Sequence, residues 1–476
     1  MLRKESSDSA QPPQLAGAVR ELPLEPEASG VMTPLLTGSA AVAMIWAAGA
    51  GLQYASQVLF ARWMGAPEYG NYVYAIALGQ ILAVVSGLGL PFVLMRFVPG
   101  YVATGDWTGL RGIVRRSRQL TVAAGTALAV LLTVVLLLVR PSGLDIVVLL
   151  LGTWLVPAAA LSNLESEISH SLNRVTLAYL FPVLADPLLC VGSALALKGM
   201  HPHLSATLLM IARYLALFVT LVLQFAVSQI VLPPPARGSK PRFETVLWLR
   251  VSLPLLLVTG CSVVLSRADL LTLGLFRPPA EAGRYSAAAK TAGLGSLVQG
   301  AVNARGGPIL SEAWSRGDLT GFDSLARTIV ALAVWPSVVV ALVLWTGGSR
   351  ILAMFGPGFS AGYGALAILV VGNLASSAAG PVATLAIITG RQDTAARIFA
   401  WATLADLMLC VLLVPRFGSV GAAVATAASM CLWNAWLNRV MHRDLGIRLS
   451  AGLTDWRILK AAILFLRPTS SCKPAA

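Results

Sequence analysis

A chain of 476 residues with 57% hydrophobic and 12% charged residues, and a mean hydropathy of +0.76, lies outside the soluble globular class, where charges make up about a quarter. The net charge of +14 invites a nucleic-acid partner, but the basic residues collect in alternate connections between apolar runs instead of along one stripe, which excludes it. The five cysteines show no disulfide or metal spacing, and Cys190, Cys261, Cys410 and Cys431 fall inside apolar runs, where a thiol behaves as a small hydrophobe.

In chain order, residues 1–34 are rich in Pro, Glu, Ser and Gln without an apolar core. They read as a disordered tail and not as a signal peptide. Apolar runs then recur at roughly 35–60, 70–95, 119–139, 144–164, 176–197 and 204–231. After a Pro-rich, basic linker at 232–245 they resume at roughly 246–275, 284–311, 325–346, 363–389, 395–414 and 418–440. Each approaches the roughly 20 residues needed to cross a hydrocarbon core. Helices are required, because lipid leaves backbone groups unpaired in anything except a helix or a closed barrel, and the runs lack a barrel strand's alternation. The expectation is an all-α polytopic membrane protein of about twelve spans, followed by a basic tail at 441–476 whose stretch Ile458–Leu466 is too short to span and lies on the membrane surface.

Arg111, Arg115, Arg116 and Arg118 crowd one connection; Arg237, Lys240, Arg242 and Arg250 crowd another; Arg439, Arg443, Arg448, Arg457 and Lys460 follow the last span. The intervening connections carry only Arg140, Lys198, Arg350 and Arg416. The positive-inside rule makes both termini cytoplasmic, and the four arginines from Arg111 to Arg118 are expected to set that orientation and touch anionic lipid.

The chain repeats itself. Glu68-Tyr69-Gly70-Asn71-Tyr72 matches Glu281-Ala282-Gly283-Arg284-Tyr285, and Gly105-Asp106-Trp107-Thr108-Gly109 matches Gly317-Asp318-Leu319-Thr320-Gly321. Leu184-Ala185-Asp186-Pro187-Leu188-Leu189-Cys190-Val191 matches Leu404-Ala405-Asp406-Leu407-Met408-Leu409-Cys410-Val411. The order is preserved and the offset nearly constant. An even number of spans per half makes the repeat parallel, giving two six-helix lobes, 35–231 and 246–440, around a central cavity.

Ala61-Arg62-Trp63-Met64-Gly65-Ala66-Pro67-Glu68-Tyr69-Gly70 resembles the signature between the first two spans of polysaccharide-biosynthesis flippases. Ser266-Arg267-Ala268-Asp269 with Gly283-Arg284-Tyr285, Thr389-Gly390-Arg391, and Pro415-Arg416-Phe417-Gly418-Ser419-Val420-Gly421-Ala422-Ala423 resemble that family's later junctions. From about Thr37 to Leu445 the chain is similar to the oligosaccharide-flippase branch of the multidrug/oligosaccharidyl-lipid/polysaccharide exporter superfamily. The resemblance implies a two-lobed, alternating-access, non-enzymatic flippase of the bacterial inner membrane. Its cargo would be an undecaprenyl-pyrophosphate-linked oligosaccharide carried to the periplasmic leaflet for exopolysaccharide, capsule or O-antigen synthesis. A polymerase and export machinery would be its partners, beside membrane lipids. About twelve spans, against two more in the lipid II branch, argue against a peptidoglycan precursor.

Ionisable groups inside spans cost roughly 2.5–3.5 kcal/mol each on insertion scales and normally face a cavity or a partner. Arg213, Arg267 and Lys290 are expected at one level in the outer half of the cavity, with Lys290 about 9 Å from its span's end at helical rise. They would form a cationic patch for a diphosphate headgroup, with Arg305 among the binding residues and Arg62 and Arg284 at the periplasmic exit. The alternative is a structural ion pair such as Asp269 with Lys290, and Arg62 equally suits an interfacial anchor. Asp186, Asp269 and Asp406 are candidates for H⁺ or Na⁺ coupling; for Asp186 and Asp406 a duplicated helix contact explains the pairing as well. The Gly, Ala, Ser and Thr of Gly418–Ser429 serve close helix packing. No cofactor is implied, and no phosphate-cradling glycine loop or nucleophile–base pair marks an ATPase or glycosyltransferase. A cation-coupled multidrug antiporter of the same fold is the competing function; the basic lean of the in-span charges favours anionic cargo.

Overall fold

Long apolar runs with few helix breakers fold as expected. In the computed structural model the described residues are 28–139, 143–201, 203–317 and 319–445, and they form helices with no strand among them. Nine helices among these residues are long and apolar enough to cross a membrane. Two of them are pairs of spans merged at a glycine corner. Ala28–Ser86 turns at Gly65, φ 77°, and Gln392–Leu445 turns at Gly418, φ 57°. Positive φ is open to glycine at little steric cost, so these two residues let consecutive spans fold back without a loop. The eighth span is Pro279–Ala292 followed by Leu294–Ser315. The arrangement is consistent with the expected twelve.

The boundaries differ in detail. The first helix begins at Ala28, inside the expected tail; residues 1–27, and the C-terminal tail beyond Leu445 with its Ile458–Leu466 segment, lie outside the described residues. The second span breaks at Gly87–Gly89 and continues as Leu90–Thr104. The third begins at Trp107, well before its apolar part.

Two of the repeated motifs turn out to be repeated devices. Glu68 accepts a hydrogen bond from the Ala206 amide at 2.7 Å, and Glu281 accepts one from the Ser419 amide at 2.7 Å. Each glutamate therefore satisfies an orphan donor at the start of its own half's sixth span and meets the positive end of that helix. The glycines two residues later face each other. A Cβ on Gly70 would lie 2.5 Å from the carbonyl carbon of Pro279, and one on Gly283 would lie 3.1 Å from the amide of Gly70. Lipid-soluble helices gain little by leaving hydrocarbon, so close backbone approach of small residues supplies the adhesion. Here it joins the two halves across the repeat axis. The Gly-Asp motif is a turn: Gly105 and Gly317 end helices with φ 70° and 74°, and Asp106 starts the next helix by accepting from the Gly109 amide at 2.9 Å. Asp318 lies outside the described residues.

The halves meet mainly at the end carrying these glycine corners. Phe60, Tyr69, Tyr285, Phe355 and Phe359 are buried there in one cluster spanning both. Tyr54 stacks edge-on against Phe355 and Tyr69 against Phe359, with centroids 5.7 and 6.0 Å apart, so a short helix between the ninth and tenth spans, Phe359–Gly362, plugs the corner end. At the opposite, arginine-rich end, Trp248 near the start of the seventh span is 1% exposed in a cluster with Leu94, Leu110 and Leu164 of the first half.

The linker is strapped to that end. Arg242 pairs with Asp106 at 2.7 Å and Glu244 at 3.1 Å, its amide donates to the Thr108 carbonyl, and Arg111 donates to the Ser239 carbonyl. Asp106 is held below the ordinary carboxylate range first by the Gly109 amide, then by Thr108 and Arg242, against an opposing effect of burial. Three of the four arginines expected at lipid thus have protein partners. Arg116 reaches Thr245. Arg118 forks onto Glu165 at 2.6 and 2.8 Å and lies 4.7 Å from the Phe225 ring centroid. Glu165 is fully buried, so its charge requires that partner. Arg115 is exposed.

Candidate functional site

Several spans are interrupted, and the interruptions of the fifth and seventh border the cavity. The fifth span passes from Val175–Leu180 through a π turn at Phe181–Ala185 into Asp186–Met200, where Pro182 and Pro187 lack amide donors. The seventh breaks between Thr245–Leu265 and Ala268–Phe276, with Arg267 at the break. Irregular backbone at membrane depth is tolerated where it lines a wet cavity, and Pro182, Asp186, Pro187 and Arg267 all line one.

That cavity holds about 290 Å³ and is bounded by both halves. Arg213, Arg267 and Lys290, expected at one level, share its wall with Asp186. Their partners differ. Arg213 forms an ion pair with Asp186, so its charge is compensated. The Arg267 side chain forms no ion pair and no hydrogen bond among the described residues. Lys290 donates to Gln57 Oε1 and, at 3.3 Å, to the Tyr69 hydroxyl, and Tyr69 donates to the same Gln57 oxygen at 2.9 Å. Neutral acceptors thus hold the ammonium across the junction of the halves. The Asp269–Lys290 pair considered from sequence does not form. The unpaired cations, Arg267 and Lys290, both belong to the second half.

Asp269 is turned instead toward its own half. It accepts from the Tyr285 hydroxyl at 2.5 Å, the Leu270 amide at 2.7 Å and the Thr426 hydroxyl at 3.4 Å. Asp406 is fully buried, and neither carboxylate oxygen has a hydrogen-bonding partner among the described residues. The repeat explains the contrast with Asp186. The glutamate contacts align Ala206 with Ser419, which places Thr426 where the first half has Arg213. The second half therefore retains the acid and lacks the arginine. No cluster of three or more His, Cys, Asp or Glu with metal-binding geometry occurs among the described residues.

Arg62 and Arg284 are not in the cavity wall. They flank the plug at the corner end: the Arg62 Cα is 3.6 Å from the place a Gly356 Cβ would occupy, and the Arg284 guanidinium 3.8 Å from that of Gly358. Arg62 is exposed. Arg305 belongs to the helix Leu294–Ser315; its side chain lies outside those described.

Sequence reasoning passed over the uncharged polar groups. Gln53, Gln57 and Tyr72 in the merged first helix, Gln80 beyond them, and Ser162 and Asn163 in the fourth span all face the cavity. Gln53 and Gln57 are one turn apart, on one face, and that spacing inside an apolar run is a readable signal.

A family model described as "Polysaccharide biosynthesis protein" matches residues 35–314. A comparison with curated protein sequences finds no match. Among solved structures, the lipid II flippase MurJ in an inward closed conformation is similar with TM-score 0.66 and 14% identity over 89% of this chain and 91% of that one. An inward-facing multidrug resistance MATE family transporter of the MOP superfamily gives 0.65 and 14% over 84% and 94%. The outward-facing form of such a transporter gives a lower 0.58, at 13% identity, over 87% and 96%. At such identity the likeness establishes the fold, an all-helical arrangement in which two halves surround a central cavity. With its family match extending across most of the chain, the chain belongs to the polysaccharide biosynthesis protein family.

Proposed function

We propose that this protein is a non-enzymatic flippase carrying an undecaprenyl-pyrophosphate-linked oligosaccharide across the bacterial inner membrane, from the cytoplasmic to the periplasmic leaflet, for surface polysaccharide synthesis. One observation carries the reading: Arg267 and Lys290 present two cations without acid partners to a membrane-buried cavity. Uncompensated charge in such a place has the wrong sign for a cationic drug and the right sign for a diphosphate. Arg267 offers a forked donor, and Lys290 a compact charge held only by neutral acceptors, which phosphate oxygens displace. Arg213, neutralised by Asp186, contributes hydrogen bonds and shape; Arg62 and Arg284 belong to the exit route, and Arg305, further along the eighth span than Lys290, is counted among the binding residues.

The arginine-rich end faces the cytoplasm by the positive-inside rule, with both termini on that side. The lobes are 35–231 and 246–440, rocking about the cavity between an inward-facing and an outward-facing state. Asp406, with Asp269 and Thr426 near it on packed helices, is the coupling site for H⁺ or Na⁺, since a buried acid without a partner gains most from a bound cation. Asp186 serves instead as counter-ion to Arg213. A polysaccharide polymerase and export machinery receive the product.

The test is export. Lys290→Ala and Arg267→Ala are each expected to abolish surface polysaccharide while the protein still reaches the membrane. Full export by both variants refutes the cationic site.

A further inference from the structure

The cavity wall is divided by chemistry. Its unpaired cations come from the second half, whereas its free amides, Gln53, Gln80 and Asn163, come from the first. None of the three amide side chains has a hydrogen-bonding partner among the described residues, unlike Gln57, which holds Lys290 and Tyr69, and Gln224, which is tied to Ser162 and Ser166. They begin one helical turn beyond Gln57, so Gln53 lies about 6 Å from it along the first span. From Tyr69 the series runs about 16 Å along the second span to Gln80, toward the arginine-rich end.

An amide offers two donors and one acceptor with two lone pairs. This matches a sugar's adjacent hydroxyls, each of which donates and accepts, and it matches a phosphate poorly, because a phosphate only accepts. Free amides facing a wet, membrane-buried cavity are therefore suited to a neutral, hydroxyl-rich group lying next to the anion. The volume of about 290 Å³ sits at the small end of ligand cavities, roughly 300–1,000 Å³. It has room for a diphosphate and the first sugar, not for a whole repeating unit.

We infer that Gln53, Gln80 and Asn163 form a glycan subsite that reads the sugar attached directly to the diphosphate, while Arg267 and Lys290 hold the diphosphate itself. The inference rests on the proposed lipid-linked cargo and assigns its two parts to the two halves. Sugar selectivity then resides in the first half, and headgroup affinity in the second.

The full-length protein in detergent is tested with farnesyl diphosphate, bare or carrying glucose, galactose or N-acetylglucosamine, and binding constants are measured for each. The wild type is expected to bind at least one of the sugar-bearing probes about tenfold or more tighter than bare farnesyl diphosphate, the effect of one or two hydrogen bonds to hydroxyls. In the Gln53→Ala/Gln80→Ala/Asn163→Ala protein that gain disappears while affinity for the bare diphosphate is retained, which also reports an intact fold. Lys290→Ala weakens every probe alike. No sugar gain in the wild type, or a gain that survives the triple substitution, overturns the subsite and leaves the diphosphate site standing. Absence of any diphosphate binding, or binding indifferent to Lys290→Ala, overturns the cargo reading instead.

Discussion

On the rocking cycle proposed above, the Gly70–Gly283 junction is the most incisive place to perturb transport, because it would join the halves only while the corner end is closed. Gly70→Ala adds one methyl group. Gly70 lies in a helix and not at positive φ, so alanine suits its backbone and favours the helix itself by up to about 1 kcal/mol. The new Cβ would nevertheless stand 2.5 Å from the Pro279 carbonyl carbon and 3.2 Å from the Gly283 nitrogen, against an optimum of about 3.5–4.0 Å for carbon pairs. The Cβ would also overlap the Pro279 carbonyl oxygen, so the helices must separate by more than about 1 Å, which forfeits at least a quarter to a half of each dispersion contact across the junction. Overpacking of this kind costs about 1–3 kcal/mol. The cost applies to the closed-corner state alone, so the closed-to-open ratio falls about 5- to 150-fold. Cys190, 3% exposed in the cavity wall, reports the shift when the other cysteines are replaced by alanine. In intact cells an impermeant maleimide should label it from the periplasm faster by that factor. Gly51→Ala, with no atom within 4 Å of its Cβ, should label like the parent. An unchanged rate in a normally abundant Gly70→Ala protein, or an equal increase in Gly51→Ala, refutes the reasoning.

Arg118→Ala strands the fully buried Glu165 and should destabilise the fold by about 3–5 kcal/mol, seen as a lower melting temperature that Glu165→Gln in the same chain largely restores. For the Asp106 strap, the folded pKa is depressed; its stabilisation is therefore complete above the unfolded carboxylate value of about 3.9 and lost as pH falls through the lower folded value. Hydrogen exchange of residues 236–245 should accordingly be protected equally at pH 7 and 5 once corrected for intrinsic rates, and lose protection only below about pH 4. Asp406→Asn should abolish any stabilisation by Na⁺ or by protons, which for a site at a hundred times its dissociation constant is about 2.7 kcal/mol; an ion response that persists in the variant removes Asp406 from the coupling site.

Much of the fold is legible because membrane insertion is a local, compositional property. An apolar run of the right length becomes a helix whatever its neighbours do, and the expected spans coincide with helices from the first to the last. The repeat was legible for a related reason: Glu68 and Glu281 are retained in both halves because each satisfies the amide at the start of a sixth span. The interruptions were less visible. Pro182 and Pro187 hint at the π turn, but the break at Ser266–Arg267 contains no proline or glycine, and only the cavity beside it relieves the exposed backbone. The glycine corners at Gly65 and Gly418 looked like ordinary loops, since sequence does not distinguish a loop from a single residue at positive φ.

The site divides in the same way. That Arg213, Arg267 and Lys290 line one cavity agrees with counting residues along spans, because depth in a membrane is set by distance from the helix end. Which of them stays uncompensated does not follow, since pairing depends on how helices are rotated. Asp186 and Asp406 occupy equivalent positions, yet one faces Arg213 and the other stands beside a helix that carries Thr426 at the equivalent place. A duplicated acid with an unduplicated partner is the signature of two halves that have taken different tasks. The first half has neutralised its charge and lined the cavity with amides; the second has kept two free cations on the cavity and one bare acid behind it. If the two tasks are headgroup capture and ion coupling, both must act through the same lobe. A cation bound at Asp406 and an anion bound at Lys290 would then favour or oppose each other according to whether the second half closes around both at once. Measuring headgroup affinity with and without the ion therefore tests the division of labour directly, because linkage requires each ligand to change the other's affinity by the same factor.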